Sequence, residues 1–186
     1  MKIILLRHCE TEENKKNILQ GAKSCSLDDD GVKIAKNIRD ELNELGSFIA
    51  ITSPAIRAVQ TADIVSRNRY LLDERLLPFG LGSAEGKCKA NVDMRGSIPN
   101  PDVYVDMESP DLFVARVNEF FEELKECDDI AKEELTFLVC GHKTTLGAIC
   151  ALVEGKSLFG TDFAALSPKV GKYKIVEYSR EKEERE

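Results

Sequence analysis

Two histidines occur in the chain, His8 and His142. Each follows a short apolar run, Ile3-Ile4-Leu5-Leu6-Arg7 in one case and Phe137-Leu138-Val139-Cys140-Gly141 in the other. Such runs read as buried strands of a parallel sheet. Ligands of open α/β sheets gather beyond the C-terminal ends of those strands. Arg7 directly precedes His8. Arg57 lies in the first turn of a helical pattern fed by a third run, Phe48 to Thr52. A cation at a helix start opposes the macrodipole at a small cost, and a bound anion there would be attracted by both. Two imidazoles and two guanidiniums at one sheet edge suit phosphoryl transfer. A neutral imidazole attacks phosphorus, and guanidinium matches phosphate oxygens two at a time. The transition state spreads charge over equatorial oxygens, so catalysis is chiefly positioning and neutralisation. With arginines supplying that charge, no metal and no other cofactor is required. Spacing alone leaves open which histidine is attacked.

The elements that must hold these residues alternate in type. Residues 2–7 read as a strand, and 31–46 as a helix with Val32, Ile34, Ala35, Ile38, Leu42 and Leu45 at helical spacing and Gly46 as its stop. Phe48 to Thr52 reads as a second strand. Ser53-Pro54 has the form of an N-cap followed by proline at the first helical position, opening a helix to about Ser66. Tyr70 to Leu72 reads as a short strand. A helix over 111–126 turns Leu112, Val114, Val117, Phe120, Phe121 and Leu124 inward. Leu135 to Cys140, 144–153 and Lys172 to Tyr178 read as strand, helix and strand. Residues 73–110 are the least regular, with four of the six prolines, and a long irregular segment in a compact chain is usually functional or mobile. The alternation implies an α/β layer architecture. The expected organisation is one domain over 1–178, with 87–110 as an irregular insert near the site and 179–186 as a charged tail.

Composition narrows the function. Formal net charge is −7, which disfavours nucleic acid as a partner because phosphates need a basic surface. A few arginines in a cleft still create a local positive potential. No apolar run reaches the roughly 18 residues of a membrane span, and the first residues read as a strand rather than a secretory leader. The expected location is the cytoplasm, with no membrane partner. None of the six cysteines forms a C-x-x-C pair, so no zinc pattern appears and the thiols are expected to be reduced, buried hydrophobes.

These residues also resemble a known family. Leu6-Arg7-His8-Cys9-Glu10-Thr11-Glu12-Glu13-Asn14 resembles the R-H-G-E-T-x-x-N signature of the histidine phosphatase (phosphoglycerate mutase-like) superfamily. Gln20-Gly21 resembles its Q-G, and Ser53-Pro54-Ala55-Ile56-Arg57-Ala58-Val59-Gln60-Thr61-Ala62 its S-P-x-x-R-A-x-Q-T-A. Glu85-Gly86, Glu108-Ser109 and the strand before His142 follow in the family's order. The resemblance implies a three-layer α/β/α sandwich with a mostly parallel mixed sheet. It also implies His8 as nucleophile, Arg7, Arg57 and His142 as phosphate ligands, and Asn14, Gln20 and Gly21 beside the phosphate.

The sequence departs from the pattern at three places. Cys9 stands where glycine is usual; the expectation is a buried, inert thiol. Lys143-Thr144 replace a glycine pair after the second histidine, so Lys143 is expected to offer a backbone N–H or an extra cation to substrate. Pro78 occupies the position of the general acid and has no proton to give. Glu85, Asp73, Glu74, Asp106 and Glu108 are candidate replacements, since a pocketed carboxyl can act as acid; Glu85 is the one carried into the expected catalytic set. Alternatively no acid is needed, as for phosphohistidine or an acyl phosphate. The expected function is a metal-independent phosphatase acting on a small phosphorylated substrate, such as a phosphomonoester, through phospho-His8. The alternatives are a phosphohistidine or acyl-phosphate phosphatase, a phosphoglycerate-type mutase, or a catalytically weak binder of phosphorylated ligands.

Overall fold

A computed structural model of the chain describes residues 1–96, 98–131 and 134–179. In chain order the elements are β1 (Lys2–Arg7), α1 (Glu12–Lys15), α2 (Asp29–Asn43), β2 (Ile49–Thr52), α3 (Ile56–Ser66), β3 (Leu71–Leu72), β4 (Met94–Arg95), β5 (Ile98–Pro99), α4 (Pro110–Ala131), β6 (Thr136–Gly141), α5 (Lys143–Val153), α6 (Phe163–Leu166) and β7 (Tyr173–Glu177). Five strands form one sheet in the order β3-β2-β6-β1-β7. All its pairs are parallel except β1 with β7. β4 and β5 make a separate two-stranded ribbon within the irregular segment. The expected charged tail lies, beyond Ser179, outside the described residues. Among the described residues, no helix is long and apolar enough to cross a membrane.

The period of the strands sets the layers. Successive strand side chains point to opposite faces, and β1 shows this residue by residue. Ile3 and Leu5 join a core with Phe137 and Val139, covered by Val117, Phe120 and Phe121 of α4 and by Ile149 of α5. Ile4 and Leu6 join the opposite core with Leu138 and Cys140, covered by Ala35, Ile38 and Leu42 of α2 and Ala58, Ala62 and Val65 of α3. The result is the expected sandwich of helices, mostly parallel sheet and helices.

Local chemistry explains the element ends. Asp28 caps α2, its carboxylate accepting the Gly31 N–H at 2.7 Å, and Asp29 and Asp30 in the first turn suit the helix dipole. Gly31 has to be glycine because a Cβ there would lie 2.3 Å from the Glu10 carbonyl oxygen. α3 does not begin at Ser53-Pro54 as the local pattern suggests. It starts at Ile56 with Ala55 at the cap position, and the Ser53 hydroxyl is engaged elsewhere. α4 runs longer than its apolar pattern indicates. Leu112, expected inward, is 67% exposed while Phe113 is buried, so the buried stripe is Phe113, Val117, Phe120, Phe121 and Leu124, the i, i+4, i+7 spacing of one helix face.

Gly147 in α5 marks the closest approach of two elements: a Cβ there would sit 2.0 Å from the carbonyl oxygen of Phe163, the first residue of α6. Gly147→Ala is expected to push α6 off α5 and to destabilise the protein by about 1–3 kcal/mol despite alanine's better helix propensity. Urea unfolding of parent and variant measures this; an unchanged or raised midpoint contradicts the packing described.

Candidate active site

β1, β6 and β2 lie side by side, so their C-terminal ends bring three segments together. The chain continues the ladder one residue past each strand: the His8 N–H donates to Gly141 O at 3.0 Å, and the Ser53 N–H to Cys140 O at 3.0 Å. His8, His142 and Ser53 are thereby held at one edge by backbone bonds. The two imidazole centroids are 5.4 Å apart and tilted by 50°. Both rings are 4% exposed.

Each ring has a defined hydrogen-bonding role. His8 Nδ1–H donates to the Cys9 carbonyl at 2.9 Å, which leaves the Nε2 lone pair free. Burial, then the charge of Arg57, lowers the His8 pKa to about 3. His142 Nδ1 accepts from an Arg57 NH2 group at 3.3 Å, so its Nε2–H donates to Ser53 Oγ at 2.8 Å. Burial and the Arg57 charge hold His142 well below the usual imidazole range. Both rings are therefore neutral at physiological pH.

Arg57 is 2% exposed. Its guanidinium donates to Gly21 O at 2.7 Å and Lys23 O at 3.0 Å as well as to His142. Its Nε and the Nε of Arg7 are buried donors without a partner among the described residues. Burial lowers the pKa of Arg7 to about 10 and that of Arg57 in the same direction, yet both remain cations at neutral pH.

A cavity of about 260 Å³ opens over these groups. Arg7, His8, Arg57 and His142 line it, as do Asn14, Gln20, Gly21 and Lys143. Asn14 has its carbonyl oxygen engaged by the Thr11 hydroxyl at 3.0 Å, so its NH2 is the group left to offer. Gln20 is tied to the same hydroxyl through its own NH2 at 2.8 Å. Lys143 opens α5 and is half-buried; burial, then Lys89 and Arg7, lower its pKa. Lys89, Met94, Ile98 and Pro99 of the irregular segment also line the cavity.

Among the described residues, no carboxylate lines this cavity. Glu85 is not brought into it. Its Oε1 accepts from Ala22 N–H at 3.0 Å and Leu81 N–H at 3.2 Å, and it lies so close over Gly21 that a Cβ there would be 2.0 Å away. Glu85 braces the loop whose Gly21 and Lys23 carbonyls receive Arg57. Glu108 is bound by Arg116 at 2.6 and 2.9 Å, and Asp73 by Arg75 at 2.6 Å. Glu74 and Asp106 are exposed. Pro78 does line the cavity, so the position where an acid was expected is occupied by a ring with nothing to donate.

Sequence reasoning missed Ser53, Lys89, Thr144 and Phe79 as members of the site. For Ser53 a signal existed: it follows a buried strand just as the two histidines do. Cys9 is fully buried and its thiol is pushed up to about 12, chiefly by burial. The expected burial is observed, and the Cys9 N–H donates to Thr61 Oγ1 at 3.0 Å.

The profile of the histidine phosphatase superfamily (branch 1) matches residues 3–184. A protein of Hydrogenobacter thermophilus named "Putative phosphoserine phosphatase 2" is 30% identical over 168 residues, which cover 84% of this chain and 80% of that protein. The alpha-ribazole phosphatase of Shigella flexneri shares the fold at a TM-score of 0.80 with 20% identity, over 97% of this chain and 92% of that one. The mycobacterial glucosyl-3-phosphoglycerate phosphatase does so at 0.79 with 18% identity, over 94% and 91%. The motifs, the sheet edge that gathers them and a profile match over nearly the full length agree, and the chain belongs to the histidine phosphatase superfamily, branch 1.

Proposed function

We propose that the protein is a phosphatase that transfers the phosphoryl group of a small substrate to His8 Nε2 and then to water. The observation that carries this reading is the His8 hydrogen bond. With Nδ1–H committed to the Cys9 carbonyl, the ring presents a neutral lone pair at Nε2 in a cavity shared with two guanidiniums. The Nε2 pair forms a bond to phosphorus as the substrate's ester bond breaks. Arg7, Arg57 and the NH2 of Asn14, which line the same cavity, hold the equatorial oxygens in this reading. Water then attacks the phosphohistidine and returns the electron pair to His8. The names of the relatives, a phosphoserine phosphatase and two other phosphatases, support hydrolysis. One of those structures is a complex with VO3, an oxyanion of the same class as phosphate.

One observation favours a narrower class. With Pro78 in the wall and no carboxylate lining the cavity among the described residues, a leaving group that departs without a proton from a carboxylic acid is the better substrate. Acyl phosphates, phosphohistidine and activated esters meet that condition; alkyl phosphates do not.

Three outcomes are expected. His8→Ala lowers the rate of phosphate release from any substrate the parent cleaves by at least about a thousandfold, measured on protein whose circular dichroism matches the parent; retained turnover refutes the nucleophile. EDTA leaves activity unchanged, because a lining of cations without carboxylates is a poor donor set for a divalent ion; strong inhibition points to a metal enzyme. The pH profile follows from the low His8 pKa. The nucleophile gains a proton only near pH 3, so kcat/KM between pH 7 and 5, corrected for the second ionisation of the substrate near about 6, changes by less than about twofold. An enzyme titration near 6.5 contradicts the buried neutral imidazole.

A further inference from the structure

A second hollow of about 650 Å³ adjoins the anion cavity. Phe79, Ile98, Lys143 and Thr144 line both, so the two share a wall and a threshold. The larger hollow is built mainly of apolar groups: Phe113 and Val114 of α4, and Leu158 to Ala164 in the segment that ends in α6. Its aromatic floor is fixed in place. Phe79 and Phe113 pack edge to face at 5.4 Å, and Phe113 and Phe163 lie 6.0 Å apart. Phe159, by contrast, is 66% exposed at the rim.

We propose that this hollow receives the leaving group of the reaction, and that its occupant is an aromatic ring bonded directly to the phosphate oxygen, so that the substrate class is an aryl phosphate. The proposal rests on the phosphatase reading above and narrows it. Two independent features converge on it. The first is the apolar lining with its aromatic floor, which leaves room for a ring and offers few partners to a sugar or a peptide backbone; burying unpaired hydroxyls there is costly. The one carboxylate in the lining, Asp162, already accepts the Ala164 N–H at 2.9 Å. The second is the anion cavity, lined by no carboxylate among the described residues. A phenol ionises near a pKa of about 10, against roughly 16 for a water-like hydroxyl, so a phenolate leaves where an alkoxide needs an acid. Acyl phosphates share the second property and lack the first.

The shared threshold gives Lys143 a role. Among the described residues it is the one cation lining both hollows, so a substrate with phosphate on one side and ring on the other brings its bridging oxygen toward it. As the bond from His8 Nε2 to phosphorus forms, the P–O bond breaks and its electron pair leaves on the aryl oxygen beside the Lys143 ammonium. The phenolate then takes a proton from solvent. Water adds to phosphorus, the N–P pair returns to His8, and the proton of that water leaves with the phosphate or to solvent. The net change is aryl phosphate plus water to phenol plus inorganic phosphate.

Steady-state kinetics with 2-naphthyl phosphate, phenyl phosphate, ethyl phosphate and acetyl phosphate test this in the parent, Ala164→Phe and Phe159→Ala. The parent is expected to bind 2-naphthyl phosphate with a KM at least about fivefold below that for acetyl phosphate, and to turn over ethyl phosphate barely. Ala164→Phe, which fills the hollow, raises the KM for 2-naphthyl phosphate by at least about fivefold and leaves that for acetyl phosphate within about twofold. Phe159→Ala, at an exposed position that leaves the core intact, shifts the naphthyl KM in the same direction. Equal KM values across the series with turnover still dependent on His8 overturn the aryl assignment alone. So does an equal effect of the variants on acetyl phosphate, or a change in sedimentation in place of KM, which would mark the hollow as a contact between copies of the chain. No turnover dependent on His8 with any of the four overturns the assignment together with the phosphatase reading.

Discussion

Arg57 is a cation removed almost wholly from water, and no carboxylate is hydrogen-bonded to it among the described residues. Its neighbours are two backbone carbonyls and one neutral imidazole. Glu85 and Glu13 favour its charge only across space. A buried ion held by dipoles alone is expensive, and the surroundings are arranged around that cost. The Gln20–Gly21 turn supplies a carbonyl. Glu85 holds the turn. His142 gives up its Nδ1 lone pair to the guanidinium and must then find a partner for Nε2–H, which is Ser53. The same charge helps keep both imidazoles unprotonated, and that neutrality is what the nucleophile proposed above requires of His8. Such a group of unbalanced donors suits an anion.

The sheet is the means by which residues far apart in sequence reach this cation. Parallel neighbours place their C-terminal ends together, and the order β2-β6-β1 puts Ser53, His142 and His8 in consecutive positions. Alternate strand residues then anchor the edge on both sides. Moving any one strand by a residue would exchange its two core faces and turn the catalytic end away, so the cores that hold the sheet also fix the site.

Much of this could be read from the sequence for a physical reason. A buried strand announces itself by an unbroken apolar run, and a residue at its end inherits a position in space as well as in sequence. That is why His8, His142 and the entry to the Arg57 helix were legible. The same logic would have found Ser53, but its local Ser-Pro pattern also fits a helix cap, and a contact with His142, 89 residues away, leaves no local trace. Glu85 illustrates the opposite error. Its place in a family motif suggested chemistry, whereas its oxygen is spent on two backbone amides. Leu112 fitted a helical stripe and faces solvent, because the stripe is centred one residue on. That no carboxylate among the described residues lines the cavity is a property of the folded arrangement, and only the loss of a donor at Pro78 hinted at it.

The account depends on Arg57 being the charge that draws an oxyanion to the two imidazoles. Titration calorimetry with orthovanadate measures this directly, in the parent and in Arg57→Gln protein that retains the parent's circular dichroism. The prediction is one vanadate per chain in the parent and an affinity at least about tenfold weaker in the variant. Undiminished vanadate binding by a folded Arg57→Gln protein would contradict it.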